Sequence, residues 1–137
     1  MCAASGLVAL RTLPGCGGAP STTATNCSAS AIGVGDTDLP VGQARFVENI
    51  KVFICHDSGG YYAMDAACTH VGTDVEFQSQ QQGFRCPLHG STFAFDGKVT
   101  MGPATIDLPH YELCTTESGL LIVDTNKLVT EDTRLVV

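Results

Sequence analysis

Two short segments of this 137-residue chain each carry one cysteine and one histidine. They read Cys68-Thr69-His70 and, after fifteen intervening residues, Cys86-Pro87-Leu88-His89. Thiolates and imidazoles are both common metal ligands, so whatever this chain folds into has to bring the two segments together. The sequence therefore predicts a metal centre held by two cysteines and two histidines.

A structural zinc ion is the alternative occupant of such a centre. Zinc sites of this composition usually combine a pair of cysteines in one segment with a pair of histidines in another, whereas each segment here holds one cysteine and one histidine. We expect the mixed arrangement to suit two metals a cluster's width apart better than a single tetrahedral ion.

The residues around both segments follow the pattern of a known family. The matching stretches are Met64 to Gly72, Arg85 to Phe93, Gly102-Pro103-Ala104 and Leu108-Pro109. They resemble the Rieske iron–sulfur proteins, whose pattern C-x-H-x₁₅-C-x-x-H is fulfilled. The resemblance implies an all-β fold, a small domain of antiparallel sheets with a cluster-binding subdomain at one tip.

The resemblance also implies a cofactor, a [2Fe–2S] cluster, and a role for each site residue. Cys68 and Cys86 would bind the inner iron, while His70 and His89 would bind the outer, exposed iron. Ser91 would donate a hydrogen bond to a bridging sulfide. The residues Gly102-Pro103-Ala104 would form a third loop that shields the cluster.

Charge explains why imidazole ligands favour electron uptake. Two ferric ions, two sulfides and two thiolates sum to zero, whereas an all-thiolate cluster is already dianionic before reduction. The outer nitrogens of His70 and His89 are also expected to release protons from the oxidised cluster, which is the coupling that a quinol donor requires. We therefore expect an electron-transfer component rather than a stand-alone enzyme.

Two departures from the high-potential branch of the family bear on the redox potential. In that branch two further cysteines form a disulfide between the ligand loops, and the matching positions here are Thr73 and Leu88. That branch also has a tyrosine whose hydroxyl lies near the cluster, and the matching position here is Phe93. Leu88 is expected to supply apolar contact in place of the disulfide. The potential should fall between the family's two branches, inside the range of roughly −150 to +300 mV for Rieske centres.

The N-terminal part differs in composition from the rest. An apolar run, Cys2 to Leu10, precedes Leu13-Pro14-Gly15-Cys16, which resembles a bacterial lipobox, and residues 17–30 are rich in Gly, Ser, Thr and Ala. We assign residues 1–35 to an export signal and flexible tether, and residues 36–137 to the Rieske domain. An ordinary N-terminal helix is the alternative for the apolar run.

The net charge bears on the choice of partner. The formal charge of −7 argues against nucleic acid and against electrostatic binding to anionic lipid, and it favours a positively charged redox partner.

Two cysteines outside the ligand segments are candidates for a disulfide. Cys55 and Cys114 are expected in strands that could be neighbours, either as a disulfide or as two buried free thiols.

Short strands and turns are expected from residue 50 onward. The turns Ser58-Gly59-Gly60, Asp96-Gly97 and Glu117-Ser118-Gly119 each predict a hairpin, and residues 126–137 are either a last strand or a tail that packs on a partner. His56 and His110 lie outside the ligand pattern and are expected to be structural.

Two functions remain open from the sequence. The first is a Rieske subunit or partner of a quinol-oxidising or other respiratory complex, in the periplasm or on the outer face of the cytoplasmic membrane. It would be held to the membrane by its N-terminal tether or by a lipid on Cys16, and would pass electrons to a cytochrome or another oxidoreductase subunit. The second is a soluble, cytoplasmic Rieske-type ferredoxin that supplies an oxygenase.

Overall fold

The computed structural model describes residues 27–137, which form an all-β domain of ten strands. The strands are β1 (Ile32–Asp36), β2 (Gln43–Val47), β3 (Val52–Asp57), β4 (Gly60–Asp65), β5 (Glu76–Gln78), β6 (Gly83–Arg85), β7 (Thr92–Ala94), β8 (Val99–Met101), β9 (His110–Thr115) and β10 (Leu120–Val129). Over this range no helix is long and apolar enough to cross a bilayer. The expected fold class is confirmed.

The strands form two antiparallel sheets. The large sheet has six strands in the order β1-β10-β9-β4-β3-β2, and the small sheet has four in the order β5-β6-β7-β8. All three predicted hairpins are present, as β3–β4, β7–β8 and β9–β10. The small sheet is an insertion between β4 and β9, so both ligand segments belong to the part of the chain that leaves the large sheet and returns to it.

One hydrophobic cluster joins the two sheets. Phe77, Phe84 and Phe93 lie side by side across β5, β6 and β7, and the Phe84 ring packs against Phe53 of the large sheet with ring centroids 4.9 Å apart. Burying a phenylalanine contributes about 1.5–3 kcal/mol, so this contact fixes the small sheet on the large one. Cys68 and Cys86 belong to the same buried cluster.

The C-terminal residues complete a strand and then form a tail. The pairing of β10 with β9 shifts register between Asp124 and Leu128, and β10 continues to Val129. The tail beyond β10 returns to the β3–β4 hairpin. There Leu135 and Tyr61 exchange two backbone hydrogen bonds of 2.8 Å, and Arg134 pairs with Asp57 at 2.8 Å. Residues 126–129 therefore belong to the last strand, as one alternative had it, and the tail that follows packs on this chain's own hairpin.

The structure corrects two expectations about the N-terminal side. Strand β1 begins at Ile32 and pairs with β10, so the boundary placed after residue 35 falls inside a strand. A disulfide joins Cys114 to Cys27 rather than to Cys55. Strands β3 and β9 are not neighbours because β4 lies between them, and this keeps Cys55 from Cys114.

Cys55 is a free, fully buried thiol. Burial raises the pKa of the Cys55 thiol far above its ordinary value, so the group stays neutral and unreactive. The proposed signal segment, the lipobox residue Cys16 and most of the tether lie outside the described residues.

Candidate metal centre

The first ligand loop, residues 66–74, is closed by two backbone hydrogen bonds around its cysteine. The Cys68 carbonyl accepts from the N–H of Gly72 at 2.7 Å, and the Cys68 N–H donates to the carbonyl of Thr73 at 2.8 Å. Lys51, in the turn between β2 and β3, pairs with Asp74 at 2.7 Å at the end of the loop. The loop is therefore held by its own backbone and tied to the sheet beneath it.

The second ligand loop, residues 86–91, repeats the same geometry. The Cys86 carbonyl accepts from Gly90 at 3.0 Å, and the Cys86 N–H donates to the carbonyl of Ser91 at 2.8 Å. The partners stand four and five residues after the cysteine in both loops, and Gly72 and Gly90 share a φ of 78°. The two cysteines are thus presented by equivalent turns, although the histidines stand two residues after one cysteine and three after the other.

The two cysteines form the inner part of the site. Cys68 is 2% exposed and Cys86 fully buried, and both belong to one buried cluster. Burial acts to raise the pKa of the Cys86 thiol, but the backbone N–H groups of Leu88 and His89, with the Cys68 side chain, bring it below its ordinary value. N–H groups that point at a sulfur favour the thiolate, which is the form that binds metal.

The two histidines form the outer part. His70 and His89 are exposed, and their rings meet edge to face with centroids 5.0 Å apart. The structure thus brings together all four residues that the sequence singled out, as a buried pair and an exposed pair.

The four donors do not gather around a single point. Among the described residues, the only group of three possible ligand atoms within 4.8 Å of one another is Cys27, Glu112 and Cys114, whose cysteines are joined in the disulfide. A tetrahedral zinc ion with bonds of about 2.0–2.3 Å would draw its donors closer than that. A buried thiol pair facing an exposed imidazole pair is the donor set that a [2Fe–2S] cluster with mixed ligands needs.

Ser91 connects the second loop to the third loop, residues 102–107. The side chain is fully buried, and its Oγ accepts a hydrogen bond from the N–H of Ala104 at 3.0 Å. Among the described residues nothing accepts the hydroxyl hydrogen, which leaves it available to an acceptor at the site. The third loop is held from the other side by Thr69, whose hydroxyl donates to the carbonyl of Ile106 at 2.5 Å.

Each of the three loops carries one exposed apolar side chain. Val71 is 46% exposed, Leu88 58% and Ile106 64%, and we call these three the apolar rim. The apolar contact expected of Leu88 therefore stays a prediction. The hydrogen bonds of Thr69 and Ser91 hold the third loop to the two ligand loops.

The remaining histidines lie away from the site. His56 stacks on Tyr61 and has its Nδ1 2.6 Å from the carbonyl of Leu39, while the buried His110 donates from Nε2 to the carbonyl of Asp96 at 2.8 Å. Sequence reasoning missed the role of Thr69, and no local signal marks it because its acceptor lies in a loop 37 residues away.

Comparisons with known proteins agree with this geometry. The family model described as Rieske [2Fe-2S] domain matches residues 31–112. The chain is 39% identical over 64 residues to the chloroplastic cytochrome b6-f complex iron-sulfur subunit of Chlamydomonas reinhardtii, covering 47% of this chain and 31% of that one. It is 30% identical over 89 residues to the cytochrome b6-f complex iron-sulfur subunit of Chlorobaculum tepidum, covering 64% and 49%.

Among solved structures, the chain resembles the cyanobacterial plasma membrane Rieske protein of Synechocystis PCC 6803. The TM-score is 0.57 and the identity 31%, over 69% of this chain and 99% of that one. By contrast, the chain spans half or less of the length of the two curated relatives.

Proposed function

This chain belongs to the Rieske [2Fe–2S] domain family, and from that membership we propose that it is a membrane-tethered electron carrier of a quinol-oxidising or other respiratory complex. Members of the family carry a [2Fe–2S] cluster and transfer electrons with it. When bound, the cluster takes up and releases one electron at a time. The observation that carries the proposal is the pairing of two buried thiols with two exposed imidazoles.

In this proposal each ligand has a distinct position. Cys68 and Cys86 hold the inner iron, because their thiols are buried and N–H groups favour the thiolate of Cys86. His70 and His89 hold the outer iron, where a redox partner or quinol can reach the imidazoles. Ser91, whose hydroxyl hydrogen has no acceptor among the described residues, donates to a bridging sulfide.

The disulfide supports the extracytoplasmic location, in the periplasm or on the outer face of the cytoplasmic membrane. Structural disulfides persist in oxidising compartments and are rare in the cytosol, and Cys27–Cys114 ties the N-terminal side of the domain to β9. A lipid on Cys16 would then hold the protein at the membrane. The same disulfide argues against a cytoplasmic ferredoxin.

The ferredoxin function is the second candidate because the site lacks the features of the high-potential branch. Thr73 and Leu88 cannot form a clip between the loops, and Phe93 has no hydroxyl to donate. Intact mass of the native protein separates the two candidates. We expect Cys16 to be the lipid-bearing first residue, whereas an unlipidated protein in the soluble fraction would favour the ferredoxin.

The ligand assignment is tested by exchanging each histidine. His70→Cys and His89→Cys should each lower the midpoint potential of any cluster that assembles, because each adds a negative ligand. His56→Cys, a change of the same type outside the site, should leave the potential where it is. A shift in the control, or none in the two ligand variants, would contradict the assignment.

A further inference from the structure

Arg85 differs from every other cationic side chain among residues 27–137. Five of the six lysines and arginines there lie within 4.0 Å of a carboxylate. The pairs are Arg45–Asp38, Lys51–Asp74, Lys98 with Asp96 and Glu131, Lys127–Glu112 and Arg134–Asp57. Arg85 is exposed, and its guanidinium makes no ion pair among the described residues, although Glu76 stands directly opposite it in the β5–β6 pairing. Among residues 27–137, Arg85 is therefore the one cation whose guanidinium or ammonium group is not engaged by a carboxylate within 4.0 Å.

The position of Arg85 places this charge beside the proposed cluster. Arg85 ends β6 and directly precedes Cys86. Its guanidinium lies 3.9 Å from the point that a Cβ on Gly90 would occupy, so it lies against the loop that carries His89. The cation and the exposed histidines thus belong to the same part of the surface.

Arg85 also lines a groove of about 470 Å³ on the small sheet. The polar side chains along it are neutral, namely Gln78, Gln81, Gln82, Thr92 and Thr100, and no carboxylate lines it. The small residues Gly83 and Ala94 leave room between them. Within the groove an incoming anion therefore meets one guanidinium without an ion pair and neutral hydrogen-bonding groups, and the neighbouring acidic residue, Glu76 on β5, lies outside the lining.

We propose that Arg85 and this groove receive a carboxylate-bearing segment of the protein that exchanges electrons with the cluster, an inference that rests on the proposed function. A guanidinium binds a carboxylate through two parallel hydrogen bonds, which fixes orientation as well as position. The apolar rim of Val71, Leu88 and Ile106 lies on the neighbouring loops and offers uncharged contact. The partner surface is thus acidic at this contact, opposite in sign to what the net charge of −7 favours.

Small redox probes of opposite charge test the local sign of the surface. The reduced holoprotein is oxidised at low ionic strength by the trianion ferricyanide and, separately, by the trication tris(phenanthroline)cobalt(III). Arg85→Gln should slow the first reaction and speed the second, changing the ratio of the two rates about tenfold. The ratio is the informative quantity, because a change in the cluster's own potential alters the driving force for both probes in the same direction.

Lys127→Gln is the matched control. It removes the same charge from the chain but from a side chain that is paired with Glu112. It should change the ratio much less than Arg85→Gln, while Arg85→Lys, which keeps the charge, should stay near the wild-type ratio. Equal effects of Arg85→Gln and Lys127→Gln would overturn the proposal, since net charge alone would then account for them.

A second arm uses poly-L-glutamate as the carboxylate probe. It should slow the ferricyanide reaction of the wild type and leave that of Arg85→Gln unchanged. Equal inhibition of both proteins, or of neither, would overturn the proposal. Iron and sulfide are measured in each sample first: a chain without a cluster would refute the proposed function and this inference together, whereas intact clusters with an unchanged rate ratio refute the inference alone.

Discussion

Ser91 shows how much one side chain contributes at this site. Its oxygen accepts from the Ala104 N–H, which positions the third loop, and we expect its hydrogen to donate to the cluster and tune the redox potential. The sequence predicts the second role through the family resemblance. It does not predict the first, because the Ser91–Ala104 contact depends on how the third loop packs.

Ser91→Ala should therefore have two effects. The midpoint potential should fall, because the reduced and more negative cluster loses a donor. The free energy of unfolding should fall by about 1–3 kcal/mol, because the N–H of Ala104 is left buried without a partner. Protein-film voltammetry and denaturant titration measure the two quantities.

Thr100→Ala is the control for this variant. The Thr100 hydroxyl bonds only to that of Thr92, at 2.7 Å, on the exposed side of the small sheet. Its removal should leave the potential unchanged. An unchanged potential in Ser91→Ala as well would mean that the Ser91 hydroxyl does not reach the cluster.

The buried His110 should make the free energy of unfolding depend on pH, and the direction follows from its pKa. Burial lowers the pKa of His110 below its ordinary 6.5, although the bond to the Asp96 carbonyl acts in the opposite direction. Its Nδ1 is buried without a partner, so a second proton there would have no acceptor. The unfolded chain therefore binds this proton more readily than the folded one below pH 6.5.

The free energy of unfolding should consequently increase as the pH rises toward 6.5, and this part of the dependence should be absent in His110→Phe. The measurement is the difference between wild type and variant at each pH, which cancels contributions from other groups. A difference that does not vary between pH 5 and pH 7 would show that His110 binds its proton equally in both states.

At the scale of elements, the two ligand loops are copies of one turn. In each loop the cysteine carbonyl accepts a hydrogen bond from the N–H of the glycine four residues later. That glycine has a φ of 78°, a backbone conformation that favours glycine. A Cβ at Gly72 would meet nothing within 4 Å, and one at Gly90 only the Arg85 guanidinium at 3.9 Å. Substitution at either position therefore costs backbone strain and little else.

Gly72→Ala and Gly90→Ala should each lower the free energy of unfolding by about 1–2 kcal/mol while the cluster is retained. Gly83→Ala should cost more, because its Cβ would lie 2.5 Å from the carbonyl oxygen of Phe93 in the neighbouring strand. Denaturant titration with iron analysis compares the three. A smaller cost for Gly83→Ala than for the two loop variants would contradict the described register.

The sequence predicts some elements better than others, for physical reasons. The β3–β4, β7–β8 and β9–β10 hairpins are predictable because their turns carry Gly, Asp and Ser between alternating apolar residues. Strand β1 is not, because it follows a Gly- and Ser-rich stretch and is stabilised by pairing with β10, which lies far along the chain. The ligand set is predictable from spacing, but the unpaired charge of Arg85 depends on where every carboxylate lies in three dimensions.

At the scale of the whole molecule, the disulfide closes most of the domain into one loop. Cys27 and Cys114 are 87 residues apart, and the enclosed chain includes the small sheet and all three loops of the site. Their pairing could not be predicted, because Cys27 lies in the stretch assigned to a tether and reaches β9 only once β1 is in place.

Reduction of this disulfide should lower the free energy of unfolding by about 4–5 kcal/mol, the chain-entropy value for a loop of 87 residues. Cys27→Ser should lose a similar amount, and adding a reductant should then have no further effect on that variant. Denaturant titration with and without dithiothreitol provides the comparison. If the wild type were equally stable in both conditions, the disulfide would not restrain the unfolded chain.

We expect two thiolates and two imidazoles to hold a [2Fe–2S] cluster in this chain. The most direct test of this expectation combines iron, zinc and acid-labile sulfide analysis with electron paramagnetic resonance of the reduced protein. We expect iron and sulfide in equal amounts, about two of each per chain, and an average g below that of a cluster with four cysteine ligands. One zinc ion per chain without sulfide, or a spectrum typical of four thiolate ligands, would contradict it.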